Sequence, residues 1–135
     1  MANWYGTSRS NYFKVKDNDA FVEALNLTGI EHTFSKDDNT FMVQGGDEGY
    51  WPASYFDEDA DDDIEFDIIQ VIQAHLADDE VCVLMSAGAE KLRYVTGDAQ
   101  AFTNKKVISI SINEIYAKAA KRFKVPLSKI SVAEY

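Results

Sequence analysis

Residues 37–90 hold sixteen Asp or Glu and not one Lys or Arg. At the centre of this window lies Asp57-Glu58-Asp59-Ala60-Asp61-Asp62-Asp63-Ile64-Glu65-Phe66-Asp67, in which eight of eleven residues are carboxylates. Lys36 and Lys91 are the nearest basic residues on either side. A buried carboxylate needs a partner, because desolvating an unpaired charge is expensive. No carboxylate of the 57–67 run has a cation nearby in sequence. The middle of the chain must therefore place its acids in water or against a cation brought from elsewhere, in its own fold or in a partner. Any fold has to put a strongly negative surface there.

The rest of the chain carries the opposite bias. Residues 1–36 hold four basic and four acidic side chains, whereas residues 91–135 hold nine basic and three acidic. The whole chain of 135 residues has a net charge of −10. That balance argues against free nucleic acid as the primary partner, since phosphate binding needs a basic footprint. It favours a basic protein partner. Despite the charge, the composition is 46% hydrophobic with eight Phe, seven Tyr and two Trp, which is too apolar for a disordered chain. One α+β domain over residues 1–135 is expected, large enough to build a core without staples. Cys82 is the single cysteine, so no internal disulfide can form. The start Met-Ala-Asn-Trp-Tyr-Gly lacks the features of a signal peptide, and no apolar run approaches the ~18 residues needed to span a bilayer. A cytoplasmic protein is expected.

Periodicity supplies the elements. Residues 10–15 alternate as a strand, with Phe13 and Val15 on one face. Asp17 caps a helix over about 18–27, with Phe21, Ala24 and Leu25 as its apolar stripe and Gly29 as its stop. Ile30–Lys36 and Thr40–Gln44 read as a hairpin around Asp37-Asp38-Asn39. Residues 45–49 are a loop, and Ala53–Phe56 a short edge strand. Asp62 and Glu65 have capping-box spacing, which predicts a helix from about Asp63 to Ala77. Glu80–Ser86 reads as a buried central strand, ended by a turn at Ala87-Gly88-Ala89. Leu92–Thr96 and Asp98–Thr103 read as one long strand bent at Gly97, and Val107–Ser111 as another. Ser111 and Glu114 mark a second capping box before a helix over about Ile112–Lys124, which Pro126 ends. The apolar side of that helix carries Ile112, Ile115, Tyr116, Ala119 and Phe123. Its other side carries Lys118, Lys121 and Arg122. Residues 127–135 are weakly patterned and read as a docked tail or strand. The order βαββ(β)αβββα predicts a mainly antiparallel sheet with about three helices.

The acidic run admits three readings. The first is a solvated loop that confers solubility. The second is a calcium loop. Counting from Asp57 puts Asp62 where the sharp turn needs Gly and Ile68 where a bidentate Glu is needed. Counting from Asp59 puts Ile64 and Gln70 there, so the calcium pattern fails in both frames and no metal site is assigned. The third is phosphate mimicry. Duplex DNA carries a charge per ~1.7 Å of axis, and residues 57–63 if extended would span at most ~23–25 Å.

Catalysis has little to stand on. Acid–base carboxylate pairs need one raised pKa, usually from burial, and exposed aspartates do not provide it. His32 and His75 each sit on an apolar face and read as core or boundary residues. Cys82 lies within Val-Cys-Val-Leu-Met and reads as a core side chain. Gly45-Gly46 and Gly49 lack the Lys-Ser/Thr of a phosphate loop. Neither a catalytic residue nor a cofactor is assigned. Trp4, Tyr5, Tyr12, Tyr50, Trp51, Tyr55 and Phe56 are core packing or, for those just before the acids, an aromatic anchor within a charged rim. The basic face of the last helix is solvated, or else it pairs with the acidic segment of its own fold or of a second copy.

With Asp57–Asp67 and the cation-free window around it, the chain resembles the small acidic inhibitors encoded by phages and plasmids. Anti-restriction and anti-CRISPR proteins, some of them DNA mimics, share this size and acidity, and immunity proteins against nuclease toxins look alike. The resemblance implies a non-catalytic inhibitor of a nucleic-acid-binding protein or complex. The expected contact residues are Asp57, Glu58, Asp59, Asp61, Asp62, Asp63, Glu65 and Asp67, with Trp51, Tyr55 and Phe56 as anchors. A general interaction module or a divalent-cation-binding module is the alternative, and homodimerisation stays open.

Overall fold

Two helices and a sheet face enclose the core, and the chain order explains how. The structure is a computed structural model that describes residues 4–90 and 93–134. Leu92 and Tyr135, at the ends of two of the predicted segments, lie outside the described residues, as do residues 1–3 and the side chains of Trp4 and Tyr5. The first strand, β1, is Trp4–Ser10. The predicted strand at 10–15 is therefore displaced. Beyond Ser10 the chain makes single bridges, Phe13 to Phe41 and Val15 to Leu76. Phe13 and Val15 are nonetheless buried on one side, as their alternation requires. β1 carries no apolar alternation in its sequence because its inward residues are Ser8 and Ser10. They are buried but satisfied: Ser8 shares a hydrogen bond with Ser86, and the Ser10 hydroxyl accepts from the Val43 N–H at 2.9 Å.

Helix α1 is Asn18–Thr28. Asp17 caps it, accepting the Ala20 N–H at 3.2 Å, and Gly29 ends it at φ +74°. Strands β2 (Glu31–Ser35) and β3 (Thr40–Gln44) form the expected hairpin, with Phe34 opposite Phe41. A short 3-10 turn, Asp47–Gly49, follows and lies against β1.

The next segment departs from expectation. There is no helix from Asp63. Ser54–Asp57 (β4) and Asp62–Glu65 (β5) form a two-stranded antiparallel hairpin, and a short helix α2 occupies Ile68–Gln73. The helix cap is Asp67, which accepts the Ile69 N–H at 2.9 Å, not Asp62. The spacing of Ile64, Ile68 and Ile72 fits a helix, but the local chemistry of the aspartates favours turns.

Strands β6 (Cys82–Glu90), β7 (Tyr94–Phe102) and β8 (Val107–Ser111) complete the sheet. The expected turn at Ala87-Gly88-Ala89 is instead the second half of β6, paired with β1 and with β7. Helix α3 is Glu114–Phe123. Its expected capping box is not made; Ser111 accepts from the Asn113 N–H at 3.3 Å and the helix starts later.

The six-stranded sheet has the order β2-β3-β1-β6-β7-β8, with every pair antiparallel. This is the α+β architecture the pattern predicts, with eight strands against the six or seven expected. The core is built from Phe41 and Val43 of β3, Cys82 and Leu84 of β6, and Phe102 of β7, together with Phe13, Phe21, Leu25, Ile68, Ile72 and Leu76. Phe21 packs edge-on against Phe41 with centroids 5.1 Å apart and against Phe13 at 5.8 Å. Each such ring contributes roughly 1.5–3 kcal/mol by burial. Among the described residues no helix is long and apolar enough to cross a membrane.

Candidate functional site

The acidic run is the tip of the β4–β5 hairpin. Asp57 pairs in register with Asp62, Phe56 with Asp63, Tyr55 with Ile64 and Ser54 with Glu65. Residues 58–61 close the loop. The Asp57 carboxylate accepts the Asp59 N–H at 3.0 Å, and Asp61 takes a left-handed conformation at φ +51°. Asp and Asn tolerate that region better than other non-glycine residues. The Asp62 carboxylate accepts the Asp63 N–H at 2.8 Å. The turn is thus written in the same residues that supply the charge.

The base of the hairpin is tied to the core. The Phe66 N–H donates to the Ala53 carbonyl at 2.9 Å, and the rings of Tyr55 and Phe66 lie 6.2 Å apart. Trp51 and Phe66 pack against the core cluster. Of the three expected aromatic anchors, Trp51 and Tyr55 are half-buried and serve this attachment, while Phe56 is 58% exposed. Phe56 shares a hairpin face with Asp63, directly across from it, and with Glu65 two pairs further on.

The carboxylates of the run have no ion-pair partner among the described residues. Among the described residues the ion pair is Arg93 to Glu134 at 3.0 Å, and it involves neither the hairpin nor α3. Glu58, Asp59, Asp61, Asp63 and Glu65 make no side-chain hydrogen bond among the described residues, and Asp57, Asp62 and Asp67 bond only to nearby backbone N–H groups. Lys118, Lys121, Arg122 and Lys124 do not pair with the run. Like charges directly opposite one another, as at Asp57 and Asp62, oppose strand pairing.

Folding back also changes the shape inferred from an extended strip. Strands rise about 3.4 Å per residue and neighbours lie about 4.8 Å apart. The seven carboxylates from Asp57 to Glu65 therefore occupy a ribbon roughly 13 Å long and about 5 Å wide. That is about half the extended length. The linear density is close to one charge per ~1.9 Å, comparable with the ~1.7 Å of duplex DNA. The ribbon is far narrower than a duplex, so it suits a narrow basic cleft. Asp67 sits apart from it as the α2 cap.

The other candidates resolve into structural roles. Cys82 is fully buried, and burial pushes its thiol pKa up, the reverse of a reactive cysteine. His32 and His75 are half-buried beside Phe41 and Phe21, at ring distances of 6.3 and 5.5 Å. Among the described residues no group of three or more His, Cys, Asp or Glu side chains is arranged to hold a metal ion. Compared with family models, with curated proteins and with solved structures, the chain matches none.

Proposed function

We propose that this protein is a non-catalytic binding protein that inserts its acidic hairpin into the basic cleft of a nucleic-acid-binding protein or complex, and inhibits it. The observation that carries the reading is the outer face of the hairpin. There an exposed Phe56 is flanked by Asp63 and Glu65, and the whole tip lacks cations. A lone apolar anchor within a charged rim is the anatomy of an interaction hot spot. Repelling carboxylates cost the free protein stability, and a cationic partner offsets that cost. The resemblance to anti-restriction and anti-CRISPR inhibitors supplies the class of partner, a host defence complex that handles nucleic acid.

The test is a pull-down from host lysate eluted with a salt gradient, repeated with Asp59, Asp61, Asp62 and Asp63 changed to Asn. Asn keeps the side-chain oxygen that each backbone bond uses, so the hairpin should survive. Charge steering is screened over about 8–10 Å at physiological salt, so the bound partner should elute with moderate salt. The variant should bind about tenfold more weakly or worse. Unaltered capture by the four-Asn protein would sink the proposal.

A further inference from the structure

One face of the sheet lies bare across β6, β7 and β8, whereas at β3 the same face is buried at Thr40 and Met42. Across β6, β7 and β8 the register lines up Met85, Ala99 and Ile110 in one row, Val83, Ala101 and Ile108 in the next, and Ala87 with Gly97 beyond. No side chain in these rows is charged. Met85, Ile108 and Ile110 are 59%, 71% and 58% exposed. Ala87, Gly97 and Ala99 floor a trough of about 540 Å³. Ile112 touches the place where a Gly97 Cβ would be, at 3.4 Å, and α3 departs from there. No residue of α3 is buried, and Ile115 and Phe123 on its apolar side are 61% and 71% exposed. A ten-residue helix does not hold itself in water; its stability comes from packing an amphipathic face. β8 is moreover the last strand in the sheet order, an apolar edge that proteins normally cover.

We infer that this face and α3 form an interface with a second copy of this chain, the helix of each copy lying in the trough of the other. Area argues for it. The chain exposes 9349 Å², whereas a folded monomer of 15.2 kDa exposes about 7,100 Å². The excess, about 2,200 Å² per chain, lies in the range that obligate homodimers bury. Shape argues for it too. One chain carries both a trough floored by small residues and bulky apolar knobs on a helix. A two-fold interface uses each of them twice. The nearest charge on that face is the exposed Arg9, paired in register with Met85 at the margin of the bare rows, and it and the basic side of α3, with Lys118 and Lys121, can stay in water.

Sedimentation equilibrium of the full chain reads the result. The expected mass is twice 15.2 kDa at micromolar concentration, unchanged by salt, in contrast to hairpin docking. Ile110→Glu and Phe123→Asp, both at exposed positions, should each halve the mass. If either dissociated chain also unfolds, a second measurement decides. Ala87→Cys chains mixed with Phe123→Cys chains should give a disulfide-linked dimer on a non-reducing gel, which neither gives when oxidised alone. A monomer at all concentrations up to about 100 μM, or the absence of the mixed cross-link, overturns the inference. So does a monomer whose face is instead covered by vesicles or by a different protein.

Discussion

Gly49 shows how much a single atom can matter here. It adopts φ +80°, and a Cβ added to it would lie 2.8 Å from the backbone of Thr7. Its carbonyl accepts the buried Ser8 hydroxyl, so the loop is pinned to the middle of β1. Gly49→Ala meets both a disfavoured conformation and a backbone clash, and should cost about 1–3 kcal/mol by urea denaturation. Gly97→Ala meets only ordinary contacts at 3.4 Å and should change little. In the sequence Gly49 reads as part of a loop and Gly97 as a bend in a strand, and nothing local says which of them tolerates a Cβ; that difference is tertiary. Phe21 was legible, by contrast, because its helical spacing marks it as core. Phe21→Ala should cost about 3–5 kcal/mol, since it strips two ring contacts from the Phe13–Phe41 cluster. Cys82 sets a pH dependence. Its folded pKa is raised above the ordinary 9.0 by burial, so the native state keeps a proton that the unfolded chain releases. Stability from this group is complete below pH 9 and declines as pH rises beyond it. A Cys82→Ala variant, although less stable throughout, should lose less stability between pH 8 and 10.5 than the parent in paired thermal melts.

Among the elements, those with both a start and a stop signal were readable in place. α1 has Asp17 and Gly29, and the β2–β3 hairpin has Asn39 at φ +58° in its turn. The segment from Ser54 to Gln73 was not readable, because two periodicities overlap in it. Ile64, Ile68 and Ile72 suit one helix, yet Tyr55 and Ile64 also pair across a hairpin. The Asx bonds of Asp57 and Asp62 and the left-handed Asp61 decide the matter locally, and no apolar pattern reports them. The upper half of β6 was missed for the opposite reason. Ala87, Gly88 and Ala89 look like a turn when read alone and become a strand only between β1 and β7. The hairpin carries its own prediction. Its unpaired carboxylates repel one another, and salt screens that repulsion. Melting temperature should therefore rise between about 10 mM and 0.5 M NaCl. The four-Asn variant should start about 2–5 °C higher in low salt and show a flatter rise. A parent melting curve indifferent to salt would show that the hairpin bears no such strain.

At the scale of the whole molecule, charge and apolarity are placed on different parts of the fold. The negative tip belongs to a small hairpin beside α1, while the bare apolar surface belongs to β6, β7, β8 and α3. One surface can thus meet a basic partner while the other holds a second copy, and a dimer would present two acidic tips. Such a dimer binds any target that offers two clefts with an avidity that no single hairpin has. The two surfaces also leave different marks on unfolding. When a dimer unfolds to separate chains, the native state gains from mass action, and each tenfold rise in protein concentration adds about 1.4 kcal/mol. With the unfolding entropy of a protein of this size, counted for both chains, that is about 2–4 °C in melting temperature per tenfold in concentration. Melts taken from about 1 to 100 μM should show this slope for the parent and for the four-Asn variant alike, because the hairpin lies outside the interface. Ile110→Glu should melt at one temperature whatever its concentration. A parent whose melting temperature ignores concentration would overturn the dimer and leave α3 held in the single chain by the C-terminal segment alone, where Tyr116 accepts the Ala133 N–H at 2.8 Å.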